Sequence, residues 1–95
     1  MLIDKGHKTG DIISIKLTTG EELIARFEAE NNESIKVDRP LLITLGGNGL
    51  GMIPWMFLAE KDSFNIQKLH ILATALTKKE AADQYMQGTT GIALR

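Results

Sequence analysis

The chain contains no cysteine. That absence excludes disulfide staples, thiolate zinc sites and cysteine nucleophiles together, and it suits a reducing compartment. No window approaches the roughly 18–20 apolar residues of a membrane span. The stretch from Met1 to Gly10 is mostly polar and lacks an apolar h-region, so no signal peptide is expected and the cytoplasm is the default setting. Charge of one sign is also missing: the net charge is -1, so any nucleic-acid site must be local or built by repeating a small patch around an oligomer.

What is present describes an ordinary folded protein, 43% hydrophobic and 24% charged, which argues against disorder. A length of 95 residues makes one domain, and so short a chain commonly gains stability by oligomerising.

Alternation is the main structural signal. From Asp11 to Thr18, Ile13, Ile15 and Leu17 share one face while Ser14, Lys16 and Thr18 take the other, a period of two. Thr18-Thr19-Gly20-Glu21 supplies a hairpin turn in which Gly20 adopts a positive φ. The pattern resumes with Leu23, Ala25, Phe27 and Ala29 opposed to Glu22, Ile24, Arg26 and Glu28. Glu30-Asn31-Asn32-Glu33 forms the next turn. Ser34 to Leu45 is a long third strand, with Ile35, Val37, Leu41, Ile43 and Leu45 near one face if Pro40 marks a bend or bulge. Gly46 to Gly51 then reads as a flexible connection, Met52 to Ala59 as a fourth strand apolar on both faces, and Glu60 to Ser63 as a polar turn. Phe64 to Leu76 is the last strand region. Thr77-Lys78-Lys79-Glu80 matches a capping box that opens a helix over 78–87, with Ala81, Ala82, Tyr85 and Met86 on its apolar side and Gly88 closing it. The termini are expected to be loosely held.

These elements predict an all-β fold: a five-stranded, strongly bent antiparallel barrel of SH3-like or OB-like type over 11–76, with a short C-terminal helix. Met52 to Ala59 and Leu69 to Leu76 are too apolar for strands with one wet face. Either a neighbouring subunit covers them or the 78–87 helix does so within one chain. The interface candidates are Ile53, Trp55, Phe57, Leu69 and Ile71.

The residues from Ile13 to Val37 resemble the first signature of the Sm/LSm (Sm-like) family. The resemblance runs through Ile15-Lys16-Leu17-Thr18-Thr19-Gly20, Leu23-Ile24-Ala25-Arg26-Phe27 and Glu30-Asn31-Asn32-Glu33-Ser34-Ile35-Lys36-Val37. Leu17, Gly20 and Val37 stand where the family has core residues and its turn glycine, and Ala25 replaces a usual Gly. The chain as a whole looks like the small Sm-like proteins of marine cyanophage. The resemblance implies an SH3-like Sm barrel, a homo-oligomeric ring closed by strand four of one subunit on strand five of the next, and single-stranded RNA as ligand. Two departures stand out. The turn after strand two is one residue shorter than the family's and places Glu33 near its base-stacking position. In place of the Ile-Arg-Gly before the last strand the chain has Leu58-Ala59-Glu60-Lys61-Asp62, and only Asn65-Ile66 resembles the residues after that signature.

Other chemistry is scarce. Gly46–Gly51 lacks the spacing and the lysine of a phosphate loop. His7 and His70 are the only histidines, Asp4 and His7 make a poor metal pair, and no Ser or Cys nucleophile with an orienting partner is apparent. The chain is therefore expected not to be an enzyme and to need no metal or cofactor. Trp55 reads as a core or interface anchor rather than a base-stacking platform. An RNA site falls on Asn31, Asn32 and Ser34 from one loop and on Lys61, Ser63, Phe64 and Asn65 from the other, where amides and hydroxyls read base edges, Phe64 stacks and Lys61 meets phosphate. Glu30, Glu33, Glu60 and Asp62 flank both loops and oppose phosphate, which leaves a structural or adaptor ring that binds another protein as the alternative.

Overall fold

The computed structural model describes residues 6–91. Its strands are β1 (Ile12–Leu17), β2 (Glu22–Glu30), β3 (Ser34–Gly46), β4 (Gly49–Pro54), β5 (Ser63–Gln67) and β6 (Ile71–Leu76), followed by the helix α1 (Lys79–Gly91). All pairings are antiparallel: β1 with β2 and β6, β3 with β2, β4 and β5. Both β4 and β5 lie along β3, β4 opposite Leu41–Gly46 and β5 opposite Ser34–Asp38. They act as one strand interrupted by an eight-residue excursion, 55–62. The expected five-strand barrel is thus present, with its fourth strand in two pieces.

The alternation in β1 and β2 has the predicted outcome. Ile13, Ile15, Leu17, Leu23, Ala25 and Phe27 form the core with Ile35, Val37 and Ile66. Gly20 turns the hairpin at φ 101°, a value only glycine adopts without strain. The core face of β3 is then re-aimed at its centre. Between the pairs Arg26↔Asp38 and Ile24↔Leu41, β3 holds one residue more than β2. Arg39 sits there at φ 50°, and Pro40, which has no N–H for the ladder, follows it. Past this bulge the faces exchange: Leu42 packs on the core, and Leu45 is 81% exposed. The expectation that Leu41, Ile43 and Leu45 would follow Ile35 and Val37 fails for that reason.

Four other expectations need correction. Gly46–Gly51 is no flexible connection, because Gly47-Asn48 makes a tight two-residue turn between β3 and β4. The fourth strand begins at Gly49 and ends at Pro54, so the apolar run 55–58 lies outside it. Phe64 to Leu76 is split by a single 3-10 turn, Lys68–His70, which takes His70 out of the strand. The helix runs through Gly88 to Gly91, and the Thr77 hydroxyl bonds Ser14 Oγ at 2.8 Å instead of capping it. Asp4, of the pair with His7, lies outside the described residues. His7 itself contacts Thr74 Oγ1 at 2.9 Å and tilts against the Phe27 ring.

α1 is anchored by Tyr85, a fully buried side chain outside the main core cluster. Its hydroxyl donates to the carbonyl oxygens of Asp38 and Arg39, each at 2.9 Å. Arg39 Nη1 returns a bond to Thr89 O. These contacts, with Arg39 N–H donating to Asp62 O at 2.7 Å, hold the left-handed Arg39 in a conformation that costs about 1–2 kcal/mol. Ile24, on the outer side of β2, is also buried, although alternation marks it as solvent-facing.

Candidate functional site

Two turns meet at one end of the sheet. The first follows β2. Asn31 Oδ1 accepts from the N–H groups of Glu33 and Ser34, both at 2.8 Å, which is the local bonding that suits Asn to such a turn. Ser34 Oγ also points to Asn31 Oδ1, at 3.4 Å, and Ser34 is buried. Asn31 therefore spends its side-chain carbonyl on the backbone, while Asn32 and Glu33 are exposed. The second turn, Lys68–His70, leads into β6. Lys68 N–H donates to Glu33 O at 2.8 Å, and Lys68 Nζ forms an ion pair with Glu30 Oε2 at 2.7 Å.

This second turn also moves the family comparison. Residues 58–62, read as the segment before the last strand, lie in the excursion between β4 and β5. The turn that enters the last strand is Lys68–His70. Sequence reading passed over Lys68 because no Gly or Pro marks the break in Phe64–Leu76. The available signal was Lys68-Leu69-His70, two polar residues inside an apolar run.

The remaining RNA candidates do not join this end. Ser63, Phe64 and Asn65 lie along β5 opposite Asp38, Val37 and Lys36. Ser63 Oγ donates to Asp38 Oδ1 at 3.2 Å. Phe64 pairs with Val37, whose side chain is in the core, and meets the Trp55 ring edge to face at 6.3 Å. Asn65 is exposed on the outer side with Lys36, a cation that sequence reading did not single out. Lys61 lines a groove of about 500 Å³ between the β3–β4 ribbon and α1, together with Leu41, Met52, Phe64 and Gln84.

The interface candidates divide. Ile53, Phe57 and Leu69 are exposed, whereas Trp55 and Ile71 are partly buried against the core. Leu72 and Leu76 on β6 are each 66% exposed. β6 pairs only with β1, and β5 only with β3, so among the described residues the sheet ends in two unpaired edges. A bare edge carrying leucines and no charge is a template for another strand.

Titration marks one group here. Burial, and then the nearby Asp38 carboxylate, push the Tyr85 phenol well above its ordinary range, so it stays a neutral donor to the bulge. Among the described residues no three His, Asp or Glu side chains gather as a metal site, and no helix is long and apolar enough to cross a membrane.

In comparison with known proteins, a family model described as the Sm_like domain matches residues 14–86, which is more than half of the chain. No curated protein matches it.

Proposed function

Because the chain belongs to the Sm-like family, whose barrels oligomerise and often bind RNA, we propose that it closes into a homo-oligomeric ring and binds single-stranded RNA where the turns of each subunit converge. The observation that carries the RNA reading is the junction of those turns, with Lys68 N–H bonded to Glu33 O at 2.8 Å. It gathers Asn31, Asn32, Ser34, Lys68 and His70 at one end of the barrel. The ring would repeat this small patch with its symmetry, so a chain of net charge -1 could still offer a multivalent site. Asn32 and the Asn31 amide read base edges, and Lys68 meets phosphate once it exchanges Glu30 for it. Asn65 and Lys36 extend the polar strip along β5. Lys61, Ser63 and Phe64 stand further off and take a lesser part. The edges of β5 and β6 make the ring by pairing between subunits. A cytoplasmic setting in a bacterial host, with phage as the source, rests on the resemblance and the cysteine-free composition.

A second reading has its own observation. Lys68 is already neutralised by Glu30, and Glu33 is exposed beside it. A turn junction whose own cation is already paired suits a protein ligand, which makes the molecule an adaptor ring.

Fluorescence anisotropy of short labelled oligo-U and oligo-A RNAs, on protein sized by light scattering, separates the two. The RNA reading expects binding that weakens as salt rises. It also expects Asn32→Ala with Lys68→Ala to weaken binding about tenfold, the worth of roughly one base contact, while Lys61→Ala has little effect. A well-formed ring that ignores both RNAs at low salt sinks the RNA reading in favour of the adaptor.

A further inference from the structure

The excursion 55–62 leaves β3 at Leu41 and rejoins it at Asp38, positions only three residues apart, so its eight residues loop out of the ladder. The tip is apolar and wet. Phe57 is 70% and Leu58 98% exposed. Two adjacent large apolar side chains held in water on one short loop mark a contact that the isolated subunit leaves unmade. Leu72 and Leu76 on the β6 edge present a matching apolar surface.

Charge says which surface the loop meets. Glu60 lies just before β5, and Lys78 lies just after β6. Both are exposed, and neither has an ion-pair partner among the described residues. When β5 of one copy runs antiparallel to β6 of the next, the residues preceding Ser63 come beside those following Leu76. Opposite unpaired charges then face each other at the end of the joint.

We propose that the excursion is a clasp on a second copy of this chain: Phe57 and Leu58 cover Leu72 and Leu76 of the next copy, and Glu60 pairs with its Lys78. The inference rests on the ring reading and adds to it a contact outside the strand pairing. The clasp makes the joint directional, because one copy contributes the loop and its neighbour the β6 surface. Acidic Glu60 and Asp62 beside the tip disfavour nucleic acid as the occupant.

Light scattering of the full chain across a dilution series tests it. Glu60→Lys and Lys78→Glu should each raise the concentration for half-assembly by about fivefold, and the double reversal should return it to within about twofold of the parent. Phe57→Ser with Leu58→Ser should raise it by more than about tenfold while circular dichroism stays native. If the parent assembles and neither reversal moves the midpoint, the clasp is wrong and the ring stands. A double reversal no better than the single ones also overturns it. A parent that stays monomeric at every concentration removes the ring reading itself.

Discussion

The β1–β2 hairpin and the ribbon made by the end of β3 with β4 are built alike, as antiparallel pairs joined by a glycine-bearing turn. Their fates differ. Ile13, Ile15, Leu23 and Ala25 in the hairpin are fully buried. In the ribbon Leu45, Leu50 and Ile53 are exposed, and no residue of β4 is buried. The hairpin gains its burial within the chain because β3 and β6 flank it. The ribbon lies past the bulge, where Leu42 still packs on the core but Leu45, Leu50 and Ile53 are left uncovered among the described residues. Apolar residues therefore fall into two groups here: those of the hairpin hold the subunit together, and those left uncovered in the ribbon, the excursion and β6 stay in water, where the proposed ring would use them.

The contrast can be broken most forcefully at the core. Ile15→Ala should cost about 2–5 kcal/mol, because a fully buried side chain in a closed cluster leaves a cavity. Urea unfolding checks this, and a loss below about 1 kcal/mol would mean that the hairpin is no better packed than the ribbon. A charge on the outer edge should separate folding from assembly. Leu72→Lys is expected to give a monomer by light scattering with native circular dichroism; a variant that unfolds instead would place Leu72 in the core. The smallest effect concerns the helix. Tyr85→Phe leaves the carbonyls of Asp38 and Arg39 without their donor and should cost about 1–2 kcal/mol. Tyr85 is the only tyrosine, so its ultraviolet absorbance titrates the helix anchor alone. Its folded pKa is raised, so its stabilising contribution is complete below the unfolded value of about 10 and is lost as pH climbs beyond it. Ionisation near 10 in the native protein would show that the helix is not docked.

Much of the barrel was legible in the sequence. The alternation of Ile13, Ile15 and Leu17, the turn at Gly20 and the break at Pro40 are local signals, and each has a direct backbone cause. The Asn31 turn was equally plain, since Asn supplies the bond that closes it. What escaped depends on distant partners. Ile24 alternates as an outer residue and is nevertheless buried. Met52 to Ala59 looked like one strand because apolar content does not mark where a strand leaves its ladder: pairing ends at Pro54, and 55–59 belong to the excursion. The meeting of Lys68 with Glu33 joins segments 35 residues apart, and nothing near either one announces it. For the candidate site, then, one turn could be read from composition and the other needed the fold.

The pairing of β1 with β6 also sets an order in time. Ile13 finds Leu76 across the ladder, although more than sixty residues separate them along the chain. As the polypeptide leaves the ribosome, β1, β2 and β3 can zip together early through neighbouring turns, but one side of β1 stays bare until β6 emerges. During that interval a nascent copy exposes the same backbone edge that a strand from another molecule could take. The late arrival of β6 thus decides which edge the finished subunit shows: that of β1 closes, and that of β6 takes its place.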